Sequence, residues 1–417
     1  MAAETATSKQ NLVILGGSYA GLSTAHYLLR HVVPQLPGKE SYQVILISAS
    51  SEAMCRPACP RALISDDMFQ QDKLFVSIPA QFEQYLKDTF KFIHGTVTSL
   101  DHQDRCVTVS VKDGDPEKIK CHAIVIATGA STASPLLGLN RDSETLRTNW
   151  NEFRAALPTA KHIVIAGGGP AGVETAGELG EYLNGRAGWF HSKLENPKVE
   201  ITLVTADSKI LPILRPALAT KAEKLLNKVG VTVIKKSRVT NVTPPGAGAE
   251  DALTANATVT LEDGKELQAD LYIPATGMTY NSSFVDASLL TDYGRVETDP
   301  GTLRVVNGGA LLYAIGDVGS HARPAVHNIL NTVPILCANM KRDLLLAVQP
   351  DASVGEDRQF KEDTRETQLV PVGRSKGVGA FMGFRQPGFM VWLIKGRDYW
   401  LWTTEGLWSG KHWAKGS

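Results

Sequence analysis

Leu12-Val13-Ile14-Leu15-Gly16-Gly17-Ser18-Tyr19-Ala20-Gly21 decides the fold, because Ile163-Val164-Ile165-Ala166-Gly167-Gly168-Gly169-Pro170-Ala171-Gly172 repeats it about 150 residues later. Each copy reads as a buried apolar strand, a turn of small residues and the start of a helix. Such a turn lets the backbone approach a pyrophosphate. The helix N-terminus adds free N–H groups and the positive end of a dipole. One copy alone is a weak signal. Two in one chain imply two bound dinucleotides, an arrangement suited to passing a hydride between them.

The flanking sequence extends both units. Val44-Ile45-Leu46-Ile47 reads as the second strand of the first unit, and Ala123-Ile124-Val125-Ile126 runs into Ala127-Thr128-Gly129. In the second unit Ile201-Thr202-Leu203-Val204 follows the helix, and Leu271-Tyr272-Ile273-Pro274 runs into Ala275-Thr276-Gly277. Leu312-Tyr313-Ala314-Ile315-Gly316-Asp317 is a short strand ending in an acid. The second turn falls between the two Thr-Gly endings, so the second domain is read as an insertion in the first. The expected class is α/β, with two Rossmann-like dinucleotide-binding domains and a small C-terminal domain. The expected boundaries are 9–147 with 270–345, then 148–269, then 346–417. Residues 349–367 read as a polar linker, and five of the seven tryptophans follow between Trp392 and Trp413.

The 417 residues are too many for one core. Lys+Arg and Asp+Glu are both 43, a balance that argues against nucleic-acid binding. Five cysteines, an odd number without a C-x-x-C pair, argue against a secreted disulfide framework and a zinc site. No metal is expected. The polar start has no signal-peptide pattern, Ala2 excludes glycine myristoylation, and no apolar run reaches a membrane span. These features point to a cytoplasmic chain, at most peripheral on a membrane.

With Gly16–Gly21, Ala127-Thr128-Gly129, Gly167–Gly172, Ala275-Thr276-Gly277 and Ala314-Ile315-Gly316-Asp317, the chain resembles the two-dinucleotide flavoproteins that include glutathione reductase. Three further stretches make it similar to the apoptosis-inducing-factor-like group, with its ferroptosis suppressors and fungal relatives. They are Gly167–Glu174, Thr276-Gly277-Met278-Thr279-Tyr280-Asn281-Ser282-Ser283, and Gly373–Gly379 followed by Leu393-Ile394-Lys395-Gly396-Arg397-Asp398. Type II NADH dehydrogenases are a more distant likeness. The resemblance implies FAD in the first domain, NAD(P)H in the second, and in many members a quinone acceptor at a membrane.

For the first cradle the candidates are Gly16, Ser18, Tyr19, Ala20 and Gly21, with Ser18 replacing the usual middle glycine. The position of the ribose-binding acid is taken by Ser48, a weaker partner than a carboxylate. The resemblance places Gly316 and Asp317 at the ribitol, Thr128 and Gly129 with Ala127 under the flavin, and Arg61 near the pyrophosphate. The bland readings are a helix N-cap for Asp317, a structural turn for Thr128-Gly129 and an ion pair for Arg61. For the second cradle the candidates are Gly167, Gly169, Pro170 and Gly172, then Thr276 and Gly277. An acid at position 205 would favour NADH, but Thr205 stands there. Lys209 is either a contact for an NADPH 2′-phosphate, opposed by Asp207, or a surface lysine. The preference between NADH and NADPH stays open.

Glu174 gains from the dipole at its helix start, and the resemblance implies that it orients the nicotinamide. Lys395 matches a lysine beside the flavin, where a cation stabilises anionic reduced flavin; the alternative is a surface lysine. Cys55 and Cys59 are spaced C-x₃-C, against C-x₄-C in the redox dithiol of glutathione-reductase relatives, so two buried free thiols are the preferred reading. The tail aromatics Phe381, Phe384, Phe389, Trp392, Tyr399, Trp400, Trp402, Trp408 and Trp413 fit core or homodimer packing, the walls of a site for a flat acceptor, or a membrane contact. The leading functional reading is hydride transfer from NAD(P)H to FAD, then two electrons to a quinone-like or aromatic acceptor. A flavin-dependent oxidase or dehydrogenase of a specialised metabolite, and an NADH-sensing signalling flavoprotein, are the alternatives.

Overall fold

A computed structural model describes residues 9–416. The readings of the polar start, residues 1–8, lie outside them. Gln10–Leu15 pairs in parallel with Tyr42–Ser48 on one side and Ala123–Ile126 on the other. Leu312–Ala314 and Phe90–Asp101 extend the parallel order outward on each side, and Cys106–Val111 and Glu117–Lys120 close the sheet as an antiparallel edge. The central strands are apolar at nearly every position because both faces are covered. The second sheet is parallel throughout, in the order Val231–Ile234, Glu200–Val204, His162–Ala166, Leu271–Pro274. A three-stranded antiparallel sheet, Val239–Thr243, Ala257–Leu261 and Glu266–Ala269, packs on it.

Strand pairing corrects the expected boundaries. Leu271–Pro274 pairs with His162–Ala166, so it belongs to the second sheet, and the return to the first domain comes after it, not at 270. The outgoing and returning segments, Ala130–Thr132 and Met278–Tyr280, pair with each other as an antiparallel ribbon. The boundary at 147/148 would cut the helix Ser143–Ala156, whose Leu146, Trp150 and Phe153 join a core shared with the second domain. The boundary at 346 would cut the helix Val326–Val348.

The polar stretch 349–367 lacks regular structure, yet it is fastened to the first two domains. Arg304 binds both Asp343 and Asp357, Arg323 binds Glu362, Arg215 binds Glu366, and Phe360 is buried. Beyond it, Gln368–Pro371, Gly377–Phe381 and Phe384–Arg385 form a small antiparallel sheet, followed by short helices. This region joins the two dinucleotide domains. A Cβ on Gly177 of the second domain would meet the Val372 side chain and backbone at 3.0 Å. On the other side His26, buried in the first-domain helix Tyr19–Tyr27, holds the Trp408 carbonyl at 2.7 Å.

Candidate functional site: a double dinucleotide cleft

Both turns are shaped by contacts that leave no room for a side chain. Gly16 has φ +115° and a Cβ there would lie 2.3 Å from the Ala127 carbonyl oxygen; Gly167, at φ +123°, would meet the Ala275 oxygen at 2.1 Å. A Cβ on Gly21 would overlap the Gly16 oxygen, and one on Gly172 the Gly167 oxygen. Each turn is therefore wedged against the Ala-Thr-Gly ending of the neighbouring strand, which explains why these two motifs recur together. In contrast Gly169, Gly129 and Gly277 face open space. That space is the cleft, about 1500 Å³ in volume. It exceeds the roughly 300–1,000 Å³ of one small-molecule site, and both cradles open into it. Bare turns at two helix N-termini, with room beyond each, fit two dinucleotides.

Gly16, Ser18, Tyr19, Ala20, Ser48, Ala127, Thr128, Gly129, Gly316 and Asp317 all line this cleft, as do Gly167, Gly169, Pro170, Glu174, Thr205, Thr276, Gly277 and Lys395. Gly21 and Gly172 lie just behind, where they let their helices approach. A Cβ on Gly316, at φ +80°, would lie 3.1 Å from the Ala20 Cβ. No helix starts at Val318, so Asp317 is not an N-cap. Burial raises its carboxyl pKa, while Arg56, 3.6 Å away, and Arg295 draw it down. Thr128 is committed to the protein: its hydroxyl donates to the Asn281 carbonyl at 2.6 Å, and the Asn281 amide returns a bond to the Thr128 carbonyl at 2.9 Å.

Two expectations are corrected. Arg61 does not face the cleft; it is buried and clamps Glu178 through two hydrogen bonds of 3.0 and 2.7 Å. Two prolines and a short helical turn send Arg61 inward and leave Arg56 on the cleft, so the cation beside Asp317 is Arg56. Lys209 does not reach the second cradle either. Its ammonium donates to the Pro212 and Leu214 carbonyls, which holds the loop 209–214 closed.

Cys55 and Cys59 are buried free thiols. Burial pushes the Cys55 thiol up to about 12 and raises that of Cys59 as well. Cys55 accepts from the Tyr19 hydroxyl and donates to the Tyr399 carbonyl, each at 3.3 Å, so it acts as a structural link. Among the described residues no cluster of three His, Cys, Asp or Glu side chains could hold a metal.

An ion pair lines the cleft. Lys395 Nζ donates to Glu174 Oε1 at 2.5 Å, and both side chains are buried. Glu174 sits in the first turns of the helix Pro170–Asn184, and Lys395 lies in a π-helical turn, Trp392–Gly396, of the C-terminal region. Burial pushes the Glu174 carboxyl up and Lys395 pulls it back, leaving it at about 7. One turn further along the helix, Glu178 accepts from Arg61 and from the Tyr399 hydroxyl at 3.0 Å. The Tyr399 ring packs 4.8 Å from the Arg61 guanidinium and 5.6 Å from Lys395 Nζ. Tyr399 and Trp400 have φ of +51° and +71°, a conformation that costs a non-glycine residue about 1–3 kcal/mol. The kink sends Tyr399 into the core and Trp400 to the cleft, 5.2 Å from Lys395 Nζ. Sequence reasoning left Trp400 among the tail aromatics and passed over Arg56 and Glu178. The adjacent Trp after Tyr399 gave no sign of the kink that separates them.

Comparison with known proteins agrees with this geometry. The profile of the pyridine nucleotide-disulphide oxidoreductases matches residues 10–334. Oxidoreductase ptaL of Pestalotiopsis fici is 31% identical over 393 residues, covering 93% of this chain and 95% of that protein. Human ferroptosis suppressor protein 1 is 26% identical over 422 residues, covering 94% of each. Among solved structures, NDH2 from Plasmodium falciparum superposes with a TM-score of 0.63 at 14% identity, covering 98% of this chain and 99% of that one. The fold is thus shared over nearly the full length, C-terminal region included. With two cradles for FAD and NAD(P)H and a family profile over most of its length, this chain belongs to the pyridine nucleotide-disulphide oxidoreductase family and is an NAD(P)H-dependent flavoprotein oxidoreductase.

Proposed function

We propose that this chain passes the electrons of NAD(P)H to a quinone-like acceptor. The observation that carries the reading is the Lys395–Glu174 pair, a buried cation and a carboxyl raised to about 7, lining the cleft that both cradles share. FAD, when bound, supplies the chemistry of accepting a hydride and releasing two electrons. Gly16 to Ala20, Ser48, Arg56 and Asp317 would hold it, with the Arg56 charge available to the pyrophosphate or ribitol side. Gly167 to Gly172 and Thr276-Gly277 would hold the nicotinamide nucleotide, with Glu174 orienting its ring.

Lys395 places a positive charge where negative charge develops, in a buried setting where such a charge acts strongly. Reducing a quinone to a quinol also requires two protons: one arrives with the hydride of NAD(P)H and the other comes from solvent. Glu174 Oε1, hydrogen-bonded to Lys395 Nζ and near neutrality in affinity, can hold one and exchange it through that bond. Trp400 offers a flat wall beside the pair. Outside the cleft, Phe381, Phe384, Phe389, Trp392, Leu393 and Trp402 are exposed on the C-terminal region, which supports a peripheral contact with a lipid surface that carries such an acceptor. No helix among the described residues is long and apolar enough to cross a membrane.

The test is stopped-flow reduction of the bound flavin by NADH and NADPH, then oxidation by a panel holding a short-chain quinone, oxygen and simple aromatic alcohols. Fast reoxidation by the quinone, slowed at least tenfold in Lys395→Met, is expected. Reoxidation by the quinone no faster than by oxygen would overturn the reading. Co-sedimentation with anionic vesicles tests the exposed face; a concentration-dependent dimer without vesicle binding would reassign it.

A further inference from the structure

Five cationic side chains line the cleft: Arg56, Arg141, Arg238, Arg323 and Lys395. Four have a carboxylate partner, namely Asp317, Glu250, Glu362 and Glu174. Arg238 alone has none among the described residues, and it is exposed. Beside it Ser237 is buried, only 5% exposed, also lines the cleft, and its hydroxyl has no hydrogen-bond partner. A buried, unpartnered hydroxyl next to an unpaired guanidinium is half of an anion site.

Its place in the second domain identifies the anion. Thr205 follows the strand Glu200–Val204, next to the phosphate cradle, and the Ser237 N–H donates to the Thr205 carbonyl at 3.1 Å. Thr205 itself is turned under the cradle: a Cβ on Gly168 would lie 2.6 Å from its Oγ1, which already accepts from the Asp207 N–H. The cradle takes the pyrophosphate, so the ground one strand further out takes the adenosine ribose. Lys236, at φ +52°, forms the kinked turn that delivers Ser237 and Arg238 there.

We propose that Arg238 and Ser237 form a site for the adenosine 2′-phosphate, so that NADPH is preferred over NADH. The guanidinium offers a fork of donors matched to a phosphate, and the Ser237 hydroxyl offers one more. Asp207 lines the same end with an exposed carboxylate. It forms no ion pair with Arg238 and opposes the phosphate only weakly, since water screens it. The proposal rests on the second cradle being the NAD(P)H site and is independent of the acceptor.

Titrating the full-length flavoprotein with 2′,5′-ADP and with 5′-AMP, by calorimetry, isolates the 2′-phosphate. Binding of 2′,5′-ADP at least tenfold tighter at low salt is expected, with the ratio falling as salt rises. Arg238→Met should bring the ratio near one, and Arg238→Lys should restore part of it. Equal affinities in the native protein, tighter binding of 5′-AMP, or a ratio unchanged by Arg238→Met would overturn the proposal. If neither fragment binds, the assignment of the second cradle falls with it. A failed quinone assay leaves this fragment ratio readable, so the two conclusions can fail separately.

Discussion

In the first cradle Ser48 ends its strand beneath Gly17; in the second, Thr205 follows its strand beneath Gly168. A Cβ on either glycine would lie 2.6 Å from the hydroxyl oxygen below it. Each hydroxyl accepts at 3.3 Å from the N–H two residues on, Ser50 in one case and Asp207 in the other. The inner architecture is thus the same, and the adenosine ends differ. Ser50 is buried, with its hydroxyl tied to the Glu52 backbone, and Gly95, Thr96 and Val97 complete an uncharged wall. The second end shows the free charges of Asp207 and Arg238. On the proposal for Ser237 and Arg238, selectivity lies in the positions after the strand-end hydroxyl: uncharged in the first cradle, charged in the second.

If the cradles are equivalent in build and separate in ligand, closing one should spare the other. Gly16→Ala forces a side chain into backbone at a positive φ, and the folded protein should lose flavin while still binding 2′,5′-ADP. Gly167→Ala brings the same strain and overlap, about 3 kcal/mol or more. It should still yield yellow protein that NAD(P)H reduces at under a hundredth of the native rate. Absorbance spectra and stopped-flow traces check both. Colourless Gly167→Ala protein would break the comparison, because the second cradle would then be a folding requirement of the first.

The two arginines of Arg56-Pro57-Ala58-Cys59-Pro60-Arg61 divide along the same line. Arg56 faces Asp317 of the first cradle; Arg61 is locked to Glu178 on the helix of the second. Removing one partner of a buried pair costs about 3–5 kcal/mol. Arg61→Met should lower the unfolding free energy by roughly that much, and the denaturation midpoint with it, at unchanged flavin stoichiometry. Arg56→Met should leave the midpoint nearly in place and weaken flavin retention. Dialysis against potassium bromide with a denaturant curve separates the two; the reverse pattern would restore Arg61 to the flavin.

Much of this was legible in the sequence. Gly16, Gly167, Thr128-Gly129 and Thr276-Gly277 announced the cradles because close backbone approach admits few residue types; Glu174 followed from its place beside the second turn, and Lys395 only from the family resemblance of the tail. Arg61 was misplaced and Arg56 passed over because two prolines set the direction of each side chain, and spacing alone carries no such direction. The reading of Lys209 as a 2′-phosphate contact fails for a related reason: its own loop supplies carbonyl partners to the ammonium. The boundary at 270 failed because Leu271–Pro274 resembles Ala123–Ile126 in both composition and ending, and only strand pairing tells them apart.

Between the cradles, Glu174 gives the comparison a pH axis. Its carboxyl is raised from 4.5 to about 7 by burial, so the folded state holds a proton that the unfolded state releases across that interval. Its effect on stability is therefore most favourable below about 4.5 and is lost as pH rises towards 7. The total is at most about 3 kcal/mol. Glu174→Gln should flatten that slope in denaturant titrations at several pH values. The same variant should remove an inflection near pH 7 from the rate of flavin reduction by NAD(P)H. An unchanged profile would assign the titration to another group.

The smallest effect concerns the middle position of each turn, Ser18 in the first and Gly169 in the second. Ser18 and Gly169 both adopt extended backbone, φ −117° and −74°, which any residue tolerates. A Cβ on Gly169 meets nothing within 4 Å. Gly169→Ser therefore copies the first cradle into the second and should change stability by under about 0.5 kcal/mol. Any cost falls on the ligand, because the added hydroxymethyl occupies space beside the pyrophosphate. A threefold to tenfold rise in KM for NAD(P)H at near-native kcat is expected in steady-state kinetics. No rise at all would show that the turn tolerates serine equally in both cradles. Their difference would then rest entirely on the adenosine ends.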